Sequence, residues 1–157
     1  MKFEFLFLGK TRESYLANGI DDYTNRLKYY VPLNIKILKD KRLRKNDNRG
    51  PGIIEQEGRI LLAAKSKSTL LVALDKSGRQ MSSEDLAGLL ETWEKMGTKG
   101  VTFIIGGPLG LASSIVEKAD QVISLSSMTF THEMSRLILM EQLYRAFTIK
   151  AGGKYHK

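Results

Sequence analysis

The sequence predicts an α/β protein, a mainly parallel sheet with helices on both faces, in one domain over residues 1–157. Apolar runs of strand length recur at Phe3–Leu8, Leu33–Leu38, Thr69–Leu74, Val101–Ile105 and Gln121–Leu125. Segments with helical spacing lie between them. Several of the runs are almost continuous in Val, Ile, Leu and Phe, the pattern of strands covered on both faces. With 42% hydrophobic residues in 157, the chain can bury one sizeable core, and no linker or repeat divides it.

The first helix is expected over 12–30, where Tyr15, Leu16, Gly19, Ile20, Tyr23 and Leu27 fall near the 3.6-residue period. Residues 39–50, KDKRLRKNDNRG, carry six of the 25 basic residues and end at Gly50-Pro51-Gly52, which reads as an exposed basic loop. A second amphipathic helix follows at 53–65. The strand ending at Leu74 and Asp75 is expected to turn through Ser77-Gly78, with Asp75 either starting the turn, the favoured reading, or accepting a bond from a ligand. The helix at 82–97 opens on Ser82-Ser83-Glu84-Asp85, a serine with an acid three positions on, so that side chains satisfy its first amides reciprocally.

Strand-to-helix turns are where open α/β sheets gather ligands. In VTFIIGGPLGLASS, residues 101–114, Gly106, Gly107 and Gly110 let a ligand approach the backbone, and a helix expected near Leu111 would add free amides. The same glycines could serve a tight connection only. The spacing is neither GxGxxG nor a phosphate-gripping GKS or GKT. In LSSMTFTHE, residues 125–133, Thr131 can cap the next helix and Glu133 complements its dipole. Met128 and Phe130 then have to be buried, in ordinary core or against the flat face of a bound base. The helix at 132–149 is apolar nearly all round, so more than one face must be covered, which points to a subunit interface. Glu141 and Arg145 stand four apart on it, as a surface pair or with a more directed role. The terminal AGGKYHK offers an aromatic, an imidazole and two cations, a set that suits nucleic acid as well as a loose tail.

A net charge of +8 and a pI near 9.7 favour a polyanionic partner, nucleic acid first. Zero cysteines exclude disulfides and thiolate chemistry, and two histidines argue against a metal centre. No apolar run reaches membrane-spanning length, and MKFEFLFLGK lacks the marks of a signal peptide, so a cytoplasmic protein without membrane association is expected.

Taken together and in order, FIIGGPLGL, SLSSMTFTHEMSRLILMEQLYRAF and the terminal YHK resemble the RlmH type of bacterial large-subunit rRNA methyltransferases in the SPOUT superfamily. The likeness covers the whole chain, including EGRILL at 57–62. It implies a homodimer with a C-terminal trefoil knot, a deviation from the rule that connections do not thread loops. It also implies S-adenosylmethionine bound in a bent form by Leu74, Gly106, Leu125, Ser126, Ser127, Met128, Thr129 and Phe130, with Met128 and Phe130 walling the adenine. The reaction implied is methylation of N3 of a pseudouridine in a 23S rRNA stem-loop on the assembled ribosome. Arg145, Tyr155 and His156 then match catalytic positions, with Lys154 and Lys157 holding substrate, and the tail is expected to reach into the partner subunit's pocket. Where proline is common in that family, before the histidine aligned with His132, this chain has Thr131, which implies altered loop stiffness rather than lost function. Two other classes compete: a non-catalytic RNA-binding or ribosome-associated factor on the same fold, and a flavodoxin-like nucleotide binder.

Overall fold

The structure is a computed structural model that describes residues 1–39 and 51–156. The basic stretch at 39–50 falls outside these residues apart from Lys39, as do Lys157 and the side chain of His156. Five parallel strands form one sheet: β1 (Lys2–Leu8), β2 (Leu33–Leu38), β3 (Leu70–Arg79), β4 (Gly100–Ile105) and β5 (Gln121–Ile123), in the order β2-β1-β4-β3-β5. The helices are α1 (Ser14–Leu27), α2 (Pro51–Ala64), α3 (Ser83–Lys95), α4 (Ser113–Lys118) and α5 (His132–Lys150), and a 3-10 turn at Lys154–His156 closes the chain.

Strand alternation sends neighbouring side chains to opposite faces. Phe3, Phe5 and Phe7 join Phe103, Val72 and Ile105 on one face, beneath α1, α3 and α5. Leu6, Leu8, Leu71, Ala73 and Ile104 lie on the other, beneath α2 and α4. The first face is the aromatic one: Phe5 stacks on Phe103 at 5.2 Å, while Phe3 meets Phe103 edge-on at the same separation. Each such pair adds about 1 kcal/mol beyond the area it buries.

At the end of the sheet where the strands begin, Glu4 is buried and accepts from the Ser66 amide and hydroxyl and from Thr102, with Lys36 at 2.5 Å. Burial alone would raise its pKa, but these bonds outweigh it and hold the carboxyl below its usual range.

The capping box of α3 forms as expected, the Asp85 amide donating to Ser82 Oγ at 3.0 Å and the Ser82 amide donating back to Asp85 at 3.1 Å. One expectation needs correction. β3 does not turn at Ser77-Gly78 but runs on to Arg79, which pairs with Ile123. Gly78 is there for clearance, since a Cβ would meet the Ile123 backbone at 2.6 Å. Asp75 accepts from the Ser77 amide at 2.9 Å, within that extended strand. None of the residues of α5 is exposed: the sheet, α1 and α3 pack against it within one chain, while Met134, Leu137, Ile138 and Tyr144 stay partly accessible. Among the described residues no helix is long and apolar enough to cross a membrane.

Candidate functional site

The ends of β3, β4 and β5 open into a cleft of about 1160 Å³, lined by Leu74–Lys76, Ile105–Leu111 and Ile123–Glu133, with Glu13, Tyr15 and Leu16 of α1 on the facing side. All eight residues expected to hold the cofactor line it: Leu74, Gly106 and Leu125 through Phe130. The glycine turn is closed by a bond from the Gly110 amide to the Gly107 carbonyl at 2.9 Å, with Gly110 at a φ of 87°. A Cβ on Gly106 would stand 2.5 Å from the Gly110 carbonyl oxygen, so only glycine allows the chain to double back here. α4 starts at Ser113, later than expected, and the turn rather than the helix start faces the cleft.

Residues 124–131 are braced by their own hydroxyls. Ser124 Oγ donates to the Ser126 carbonyl at 3.0 Å, and the Met128 amide donates to Ser126 Oγ at 3.0 Å. Among the described residues, no internal hydrogen bond takes the N–H or C=O groups of Leu125, Ser127 and Thr129. Met128 and Phe130 are not in the core: they are 73% and 38% exposed, at the mouth of the cleft. With Tyr15 and Leu109, they gather four of the large exposed apolar side chains around one opening. Apolar groups collected in this way mark a binding site rather than scattered surface.

Thr131 caps α5 as expected, accepting from the Met134 amide at 3.2 Å. Glu133 does something the sequence did not signal. Its carboxylate is buried and takes the amides of Arg12 and Glu13, at 3.0 and 3.2 Å, and so caps α1, which has no side-chain cap of its own. One turn on, Arg136 is fully buried, donates to the carbonyls of Leu8 and Gly9 and to Thr11 Oγ1, and lies 4.7 Å from the Phe7 ring centre. His132 sits at the helix start with Nε2 3.9 Å from Glu133.

Arg145 and Tyr155 are brought together at the other end of α5. The Arg145 guanidinium grips Glu141 Oε1 through Nε and Nη2, at 3.0 and 2.6 Å, and lies over the Tyr155 ring at 4.8 Å. Tyr155 donates its hydroxyl to Glu141 at 3.2 Å and accepts from Tyr23 at 2.8 Å, with Tyr144 edge-on to its ring. Burial first, then the Tyr23 bond and the Glu141 charge, push the Tyr155 phenol well above its ordinary value. The Glu141 bond likewise raises Arg145. Lys154 is exposed beside them. This cluster does not reach the cleft of its own chain: Ser135 lines the cleft, and Arg145 stands ten residues further along α5, roughly 15 Å at 1.5 Å per residue. Among the described residues no group of three or more metal-binding side chains occurs.

Comparison with known proteins points the same way. The family described as "Predicted SPOUT methyltransferase" matches residues 1–156. The chain is 48% identical over 158 residues to the ribosomal RNA large subunit methyltransferase H of Desulfotalea psychrophila, with both proteins covered in full. It is 41% identical over 159 residues to the protein of the same name from Halothermothrix orenii, again with both covered in full. Among solved structures, a probable methyltransferase from Bordetella pertussis Tohama I has a similar fold, with a TM-score of 0.57 at 12% identity over 93% of this chain and 96% of that one. TrmJ from Z. mobilis ZM4 is similar at a TM-score of 0.56 and 12% identity, over 92% of this chain and 69% of that one. With its whole length matched and its parallel sheet ending in this cleft, the chain belongs to the SPOUT methyltransferase family.

Proposed function

We propose that the protein is an S-adenosylmethionine-dependent methyltransferase of the bacterial cytoplasm that modifies large-subunit rRNA, at N3 of a pseudouridine in a 23S stem-loop on the assembled ribosome. One observation carries the reading: a cleft at the strand ends, walled by uncharged backbone with free amides and carbonyls and rimmed by apolar side chains. Adenine offers an edge of donors and acceptors and a flat face. The groups of Leu125, Ser127 and Thr129 suit the edge, and Met128 and Phe130 suit the face. Leu74 and the Gly106 turn line the part of the cleft where a bent donor would continue.

The bound donor supplies a sulfonium methyl group. Positioning is then the main contribution of the protein, because an in-line approach of nitrogen, methyl and sulfur is required. The imide N3 also loses its proton, and a nearby cation favours the anion so formed. Arg145 is the residue for that task. Tyr155, whose phenol holds its proton tightly, serves base stacking and positioning rather than proton removal. His156 takes proton handling or phosphate contact, and Lys154 and Lys157 the RNA backbone.

Arg145, with Tyr155 packed against it, stands roughly 15 Å from the cleft of its own chain. The reading therefore includes a homodimer in which the tail cluster of one subunit meets the cleft of the other. The exposed Leu109, Met128 and Phe130 support it by offering apolar surface at the meeting point. The knot of the SPOUT fold is part of the same reading.

The test is a calorimetric titration with S-adenosylmethionine, followed by transfer of a labelled methyl group to purified ribosomes. Binding heat and label at one 23S pseudouridine are expected. No heat would leave a non-catalytic RNA-binding factor, and label elsewhere would reject the substrate.

A further inference from the structure

The turn between β1 and α1 is held with unusual force for a surface segment. Arg136 is 0% exposed and binds the carbonyls of Leu8 and Gly9 and the hydroxyl of Thr11, at 2.6, 3.1 and 3.0 Å. Glu133, 8% exposed, takes the amides of Arg12 and Glu13. Two charged side chains are thus withdrawn from water, at a desolvation cost that exposed loops do not ordinarily impose. What they fix in place is a short basic and aromatic rim. The side chains of Lys10 and Arg12 point to solvent and form no ion pair among the described residues, and Tyr15 is 63% exposed at the cleft mouth. Across the opening Lys76 is also exposed and lines the cleft, against the acids Glu13 and Asp75.

We propose that the Lys10–Tyr15 turn is an RNA-docking surface, in which Lys10 and Arg12 meet phosphates and Tyr15 stacks on a nucleobase beside the target. The inference rests on the rRNA methyltransferase reading and names a surface for its substrate. Cations for the backbone and a flat ring for the bases are the two elements of single-strand recognition, and a rigid mount spares both the entropy of ordering on contact. Charge complementarity selects the partner, since the chain carries +8 and the turn exposes two cations next in sequence to the cleft-lining Glu13 and Tyr15. Glu133 and Arg136 act as positioning residues beneath it.

The experiment measures binding of the full-length protein to purified ribosomes across a salt series, alongside calorimetry with S-adenosylmethionine and sedimentation for oligomeric state. Lys10→Ala with Arg12→Ala is expected to weaken ribosome binding at least tenfold and to lower the salt slope by about 1.4. Lys67→Ala with Lys118→Ala removes the same charge from exposed positions away from the cleft and is expected to change binding less than twofold. Tyr15→Ala is expected to weaken binding at least fivefold, and Tyr15→Phe, which keeps the ring, to restore it. For the Lys10 and Arg12 double variant, donor affinity and oligomeric state stay as in the wild type, and Tyr15→Phe likewise keeps the oligomeric state. Equal losses from both charge pairs would overturn the proposal in favour of nonspecific attraction. A parallel loss of donor affinity, or dissociation into monomers, would overturn it in favour of a cofactor wall or a subunit contact. A wild type that binds ribosomes without methylating them sinks the catalytic reading, while the variants still decide this one.

Discussion

The two ends of α5 are built from the same residue types and do opposite things. At its start, Glu133 and Arg136 are buried and directed inward, and their bonds go to backbone of the β1–α1 turn. Near its end, Glu141 and Arg145 are half-exposed and bind each other and Tyr155. The first pair fixes the turn on one side of the cleft, whereas the second joins the tail to the helix roughly 15 Å from it. In the proposed dimer, one helix would carry both halves of a shared site, with one half anchored to its own sheet and the other offered to a neighbour.

Removing Tyr155–Lys157 should have the largest effect. Methylation is expected to fall at least a thousandfold while S-adenosylmethionine affinity, measured by calorimetry, stays within a few fold. Loss of donor binding as well would erase the distinction between the two ends. Gly106→Ala should act the other way, weakening the donor at least tenfold, because the added methyl meets the Gly110 carbonyl. Mixing these two chains at a donor concentration too low for Gly106→Ala sharpens the point, since random pairing gives one intact site in half of the dimers and about a quarter of wild-type activity. No recovery would mean that each chain works alone.

Arg136→Met keeps the bulk but strands the Leu8 and Gly9 carbonyls, and roughly 3 kcal/mol of stability should be lost in urea unfolding. Arg145→Met, at a half-exposed position, should cost less than about 1 kcal/mol while reducing the methylation rate. Tyr155→Phe is expected to have the smallest effect, within threefold at neutral pH. A phenol raised above its ordinary value stays protonated as pH increases, so its ionisation adds no limb to the rate profile between about pH 6 and 9. A limb that disappears in the Phe variant would make Tyr155 the proton acceptor after all.

Much of the fold was legible because local signals agreed. Phe3–Leu8 is continuous and strand-length, and Ser82 with Asp85 marks a helix start unambiguously. The glycine turn and the loop at 125–130 were legible as a place, and all of their expected residues line the cleft. What escaped depends on contacts across the chain. Gly78 looks like a turn residue but serves the close approach of β5, and no local pattern distinguishes the two. Glu133 looked like a dipole partner for its own helix, yet its bonds reach residues 121 and 120 positions away. Met128 and Phe130 were expected to be covered either by the core or by the face of a bound base, and their exposure at the cleft mouth removes the first alternative. The tail packs into an ordered turn because Tyr23 and Tyr144 await it, which its glycines gave no reason to expect.

The clamp of Arg136 on Leu8 joins positions 128 apart, nearly the span of the polypeptide. During synthesis, then, the first strand emerges long before the side chain that completes its far end. A chain halted anywhere short of its last helix has β1 but no finished opening beside it. Ordering of this opening must therefore be among the last events of folding, and its rate should follow the slow closure of distant segments rather than the quick winding of any one helix.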